Sequence, residues 1–260
     1  MHARRLRAGL VTALVALTPV LVVPATVGSS ADAAGEAFSV HSWTDPDGDR
    51  HRIRWDPCTT VTYAVNVRQA GKSPAARKAA LADAREAMRR AAGRTGLTFA
   101  FVGRTKEVPR DAAKSWSDRQ KAAEIVIAWV NQNREATRSN LLIPSGGGYV
   151  SGTGGWVWKA WTVDSKWQLA IGRGFVVVNA DHNNRYSRGF GSGYTRGALL
   201  LHEIGHALGL DHVGSTSQLM YPQMLDRASS SYKSGDRTGL KKLGEVNGCI
   251  PGTAQAWTQI

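Results

Sequence analysis

Three of the chain's seven histidines fall within eleven residues, and that stretch constrains the fold more than any other feature. It reads His202-Glu203-Ile204-Gly205-His206-Ala207-Leu208-Gly209-Leu210-Asp211-His212. Apolar Leu199, Leu200 and Ile204 recur at helical spacing, which predicts a helix over Tyr194–Leu208. On a helix, residues four apart share a face, so His202 and His206 aim at one point. Gly209 admits the left-handed backbone that ends a helix, and the turn it permits can bring His212 back to the same point. Three imidazoles and a carboxylate packed beside an apolar face would be costly as ordinary core residues, because nothing there compensates them. An ion does. Three neutral imidazoles leaving a fourth position open describe a tetrahedral zinc site of the catalytic kind, with His202, His206 and His212 as ligands. Glu203, next to the first ligand, can reach a water held at that open position.

The rest of the chain supplies a scaffold. Val61–Val67 alternates and is β-branched, so it predicts a strand. Ser73-Pro74 is a helix start, and the Ala-rich residues 75–92 carry Ala80, Leu81, Ala84, Met88 and Ala91 at helical spacing. Leu97–Val102 and Glu124–Val130 read as further strands, so the first crossover should be right-handed and parallel. Residues 144–158 are rich in glycine with interspersed aromatics, which suggests a bulged strand at a sheet edge. Phe175–Asn179 reads as a buried strand, and a short helix is expected around Gly239–Val246. Trp156, Trp158, Trp161 and Trp167 are read as packing across the edge strand rather than as a ligand platform. The expected class is α+β, a single domain over residues 52–260.

The first residues read as an address. Arg4, Arg5 and Arg7 precede an apolar run over 8–27, and Ala31-Asp32-Ala33 fits a cleavage site, so residues 1–33 are expected to be a secretory signal peptide. Residues 34–51 are polar and turn-rich (Asp45-Pro46-Asp47-Gly48-Asp49) and are expected to be a flexible lead-in. The whole chain carries 33 Lys and Arg against 20 Asp and Glu; without residues 1–33 the balance is 30 against 19, a net +11. That charge is scattered, partly along one face of the Ala-rich helix, and no nucleic-acid-binding motif accompanies it. It suits a solvated basic surface and an electrostatic association with an anionic cell envelope. Cys58 and Cys249 are the only cysteines, and in an exported chain they are expected to form one disulfide.

The full pattern H-E-x-x-H-x-x-G-x-x-H resembles the zinc-binding consensus of the metzincin metalloproteases. Gln218-Leu219-Met220-Tyr221-Pro222 is similar to the Met-turn of the matrixin branch. The resemblance implies a metzincin-like catalytic domain, with a twisted mixed sheet, two long helices and a short C-terminal subdomain holding the Met-turn. It implies one catalytic zinc, Met220 as an apolar floor beneath it, and Tyr221 and Pro222 walling the pocket for the side chain after the cut bond. Protein or peptide would be the substrate. The chain departs from animal relatives in three ways: it shows no pro-segment with a zinc-blocking cysteine, no haemopexin-like repeats, and no His- and Asp-rich loop for a second zinc. Asp181 and His182 are the nearest material for such a loop and are not assigned to a metal. Calcium has no recognisable site pattern, and nothing in the sequence demands more than a monomer.

Three functions remain open on the sequence. One is a secreted zinc endopeptidase with Glu203 as general base. Another is an exported zinc hydrolase of cell-wall peptides, and the third is a secreted binding module with structural zinc. Only the hydrolases have a use for Glu203.

Overall fold

The computed structural model describes residues 16–17, 38–110, 120–134, 138–142 and 150–258. In chain order the strands and helices are β1 (Ala16–Leu17), β2 (Ser39–Val40), β3 (Ser42–Thr44), β4 (Arg50–Arg52), β5 (Val61–Asn66), α1 (Pro74–Thr95), β6 (Phe99–Arg104), β7 (Ile125–Val130), β8 (Gly152–Val163), β9 (Lys166–Asn179), α2 (Arg196–Ala207), β10 (Leu210–Asp211), α3 (Ser234–Leu243) and α4 (Thr253–Thr258). The main sheet runs β1-β8-β9-β7-β5-β6. Its pairs β5–β6, β5–β7 and β7–β9 are parallel, whereas β8 is antiparallel to β9. The class is α+β with a mixed sheet, as expected. The two-residue β1, from the segment expected to be cleaved, is antiparallel to β8 and pairs with Gly155 and Trp156 on its outer edge.

Helix α1 forms where the sequence predicts it. The Ser73 hydroxyl accepts the Ala76 amide at 3.1 Å, Pro74 opens the first turn, and Gly96 closes the helix at φ +74. Ala80, Ala84, Ala87 and Ala91 form its buried face, small enough for the helix to lie close to its neighbours. Strand β7 is buried on both sides: Ile125, Ile127 and Trp129 join the core beneath α1 and α2, while Val126, Ala128 and Val130 pack with Phe175 and Val177 on the other face.

The long hairpin β8–β9 was only half visible in sequence. Its two-residue turn, Asp164-Ser165, has φ +48 and +63, the left-handed pair a tight hairpin needs, reached here without glycine. Strand β8 bulges between Val157 and Trp158. Trp156 and Trp158 are buried, and Trp158 and Trp167 both pack on Trp43, so these three pack as expected; Trp161 is half-buried and donates to the Pro251 carbonyl.

The lead-in differs from expectation. Residues 39–52 take up regular structure: β3 pairs with β4, and β2 with β10. The cause is Asp45, whose Oδ1 accepts the Asp47 and Asp49 amides and whose Oδ2 meets His51 Nε2 at 2.8 Å, turning the Asp-Pro-Asp-Gly-Asp run into a closed turn. At the other end the chain is fastened by Cys58–Cys249, which closes as a disulfide with Cα atoms 5.2 Å apart. No described helix is long and apolar enough to cross a membrane.

A buried ion pair locks α1 to the start of α2. Asp83 Oδ2 accepts Arg196 Nε at 2.7 Å and also Arg196 Nη2, and it takes the Gly189 amide at 3.0 Å. Removing one partner leaves the other charge buried and unpaired. Asp83→Ala is therefore expected to cost about 3–5 kcal/mol in urea unfolding; a loss under about 1 kcal/mol would mean that the pair is effectively solvent-screened.

Candidate active site

The metal-ligand triad is built from one helix and one turn. Helix α2 starts at Thr195, whose hydroxyl accepts the Ala198 amide at 3.1 Å, and it carries His202, Glu203 and His206. Gly209 follows at φ +108, where a side chain would be strained, and lets the chain leave as β10 toward His212. His202 and His206 are buried and His212 is partly so. The three Nε2 atoms form a triangle, with His202–His206 and His202–His212 both 3.2 Å and His206–His212 3.1 Å. Tetrahedral zinc with Zn–N of about 2.0–2.1 Å requires nitrogens about 3.3 Å apart, so the triangle fits that ion. Among the described residues this is the one group of three or more potential ligands brought together.

The other ring nitrogens fix the tautomers. His202 Nδ1–H donates to the Leu219 carbonyl at 2.8 Å and His206 Nδ1–H to the Leu210 carbonyl at 2.9 Å, which turns both Nε2 lone pairs inward. Burial pushes His202 down to about 3, with the neighbouring His212 adding to the shift. Burial also holds His206 well below the usual imidazole range and lowers His212. All three are therefore neutral at pH 7, the form a metal binds.

Glu203 is fully buried, and neither of its carboxylate oxygens has a hydrogen-bond partner. Burial pushes its carboxyl up to about 8; the Gly154 amide lies close enough to oppose the shift without closing a hydrogen bond. A buried carboxylate without a partner calls for one, and a cation with its water beside the triad would supply it. The donor set, the triangle and this orphaned group together fit zinc.

Met220 is buried beneath the triad's helix. A Cβ on Gly205, between the two helical ligands, would lie 2.6 Å from the Met220 sulfur, so that glycine lets the methionine press against α2. Tyr221 lines a cavity of about 130 Å³ with Leu219, Met224 and Lys233; Pro222, half-buried next to it, is not in that lining.

One residue of this region had no sequence reading. Asp236, on α3, accepts the Leu219 amide at 2.8 Å, the Met220 amide at 3.2 Å and the Lys233 amide at 2.8 Å. Burial raises its carboxyl, and these amides oppose the rise. Asp236 thereby holds the turn whose Leu219 carbonyl orients His202. The signal was an acid in a helix's first turn, masked because Lys233 rather than Ser or Thr precedes the helix.

The sequence model of the matrixin family matches residues 54–244, most of the chain. The chain belongs to the matrixin family. Comparison with individually curated proteins finds no match. As a matrixin it is a zinc metallopeptidase acting on protein or peptide. The matched span contains the triad, Glu203, the Met-turn and Asp236, whereas the β2–β4 segment and the tail after 244 lie outside it.

Two outcomes follow for this matrixin. His202 is depressed in the folded state, so its contribution to stability is complete above about 6.5 and is lost as pH falls toward about 3. Zinc needs the same neutral imidazoles, so the acid-unfolding midpoint of metal-free protein should lie at higher pH than that of zinc-loaded protein; coincident midpoints would contradict this. Asp236→Ala should weaken zinc about 10- to 100-fold in a chelator competition, because it frees the turn that aims His202. Unchanged affinity would show that the turn holds its place without Asp236.

Proposed function

We propose that the mature chain is a secreted zinc endopeptidase in which Glu203 is the general base. The observation that carries this reading is the wholly buried Glu203 carboxylate, without a partner among the described protein groups, on the helix that carries two of three converging, neutral imidazoles. A structural zinc site in a binding module has no use for such a group, since burying it unpaired only costs free energy.

His202, His206 and His212 would hold the zinc, which when bound supplies Lewis-acid activation of water and of the scissile carbonyl. Glu203 takes the proton from the attacking water and passes it to the leaving amine. Its elevated metal-free pKa marks how weakly the surroundings stabilise the charge, and a cation nearby shifts it toward the ionised form that a base requires. Met220 floors the site, and Tyr221 and Pro222 wall the pocket for the side chain after the cut bond. A peptide would pair with the outer edge of β8, where β1 already adds as an antiparallel strand beside Gly155 and Trp156. In that direction, residues before the cut bond lie alongside Trp156 and those after it alongside the start of β8. Export follows from the same reading: residues 1–33 are removed, the Cys58–Cys249 bridge forms in an oxidising compartment, and the basic surface faces the cell envelope.

The deciding comparison is casein hydrolysis by residues 34–260, wild type against Glu203→Ala, with bound zinc counted in both. The expected result is equal zinc and a fall in kcat/KM of at least about 10³-fold in the mutant. Retained cleavage by Glu203→Ala would remove Glu203 from the mechanism. Zinc retention without cleavage by either protein would point to a narrower substrate, cell-wall peptides first.

A further inference from the structure

No described protein group closes a hydrogen bond to the Glu203 carboxylate, although the side chain is fully buried and the Gly154 amide lies near it. The next structural fact is what it rests against. A Cβ built on Gly152 would have three Glu203 atoms as its nearest neighbours: Oε1 at 2.8 Å, Cγ at 2.9 Å and Cδ at 3.0 Å. Two residues along β8, on the same side of the strand, a Cβ on Gly154 would fall 1.9 Å from the Glu203 carbonyl oxygen. The two glycines thus form a notch in β8. Gly154 lets the helix backbone approach the strand, and Gly152 leaves the space that the carboxylate occupies.

We propose that Gly152 is a positioning residue for Glu203: its missing side chain is the space that sets where the carboxylate lies. The proposal rests on the assignment of Glu203 as general base. The two glycines differ in what a methyl group would do. At Gly154 it would meet helix backbone, which can move only with the whole of α2. At Gly152 it would meet the Glu203 side chain from Cγ to Oε1, which can turn about its own bonds, so the carboxylate swings aside and the fold persists. Gly152 sits in strand backbone without a positive φ, so alanine is admissible there apart from that contact. The three atoms nearest to a Cβ on Gly152 all belong to Glu203, so the zinc ligands are expected to stay as they are.

The test is Gly152→Ala in the mature enzyme, with kcat, KM, zinc stoichiometry, zinc affinity by chelator competition, and Tm all measured. The expected result is a loss of about 10²-fold in kcat, the scale of an ångström-sized misplacement, with KM, zinc binding and Tm close to wild type. Gly93→Ala, where nothing lies within 4 Å in α1, should leave activity unchanged. A merely structural role is separated by the double variant. If Gly152 acts through Glu203, adding Gly152→Ala to Glu203→Ala changes the residual activity less than about twofold, because the two act as one unit. The proposal is overturned by kcat within threefold of wild type, by loss of zinc or a collapse of Tm in Gly152→Ala, or by additive losses in the double variant. Its failure is distinct from failure of the general-base assignment. In the first case Glu203→Ala is inactive while Gly152→Ala works; in the second, Glu203→Ala itself still cleaves.

Discussion

Three imidazole Nε2 atoms lie within 3.2 Å of one another, with the lone pairs of His202 and His206 turned inward, an arrangement that is costly in a buried site unless something compensates it. Aiming these rings at one point falls to the surrounding backbone, and much of the structure serves that end. The Leu210 and Leu219 carbonyls take the outward N–H groups of His206 and His202. Those carbonyls belong to β10 and to the Met-turn, so the requirement passes outward. β10 is paired by β2, and the Met-turn is held by Asp236 from α3. Ligand rings oriented by outer hydrogen bonds of this kind would lose less freedom on taking up a metal.

The helix carrying two of the ligands is fixed by two unlike contacts. At its start, Arg196 is paired with Asp83 on α1, a charge-assisted bond whose strength comes from its burial. Along its middle, Gly154 brings β8 within touching distance of the Glu203 backbone, a contact of shape alone. The first specifies which helices pack together, since a mismatched partner would leave a buried charge. The second specifies how deep the helix sits. Together they determine where the Glu203 carboxylate comes to rest.

Sequence exposed the parts of this arrangement that are local. The triad was legible because its spacing, four residues along a helix and then a glycine turn, is a property of one segment. Helix α1 was legible for the same reason: Ser73, Pro74 and Gly96 mark its ends, and its alanines mark its face. Long-range contacts were not legible. Asp236 lies sixteen residues beyond Met220 and shows its role only once α3 folds back on the turn. The Asp164-Ser165 hairpin hid because its left-handed residues are not glycines. The lead-in looked flexible because its turn residues are visible in sequence, whereas the ring contacts of Trp43 with Trp158 and Trp167 are not. Gly152 and Gly154 were read as an irregular sheet edge; nothing local says which helix would come to lie against them.

The two segments outside the family match also restrain the sheet. From the N-terminal side, His41 packs edge-on against Trp156, its Nε2 lies 3.7 Å from Asp211, and the two-residue β2 extends β10. From the C-terminal side, the disulfide holds residue 249 beside residue 58, the Trp161 indole donates to the Pro251 carbonyl, and Trp257 lies over Gly172, whose lack of a side chain makes room for it. Both segments end on the β8–β9 hairpin or on the strand next to His212, the elements that a bound peptide would load. A hairpin at the edge of a sheet has a neighbour on one side only, so its twist is set largely by what packs on its faces. Contacts from both segments restrain that hairpin, and if a peptide adds to its edge as proposed, a restrained edge would lose less entropy on taking up the strand.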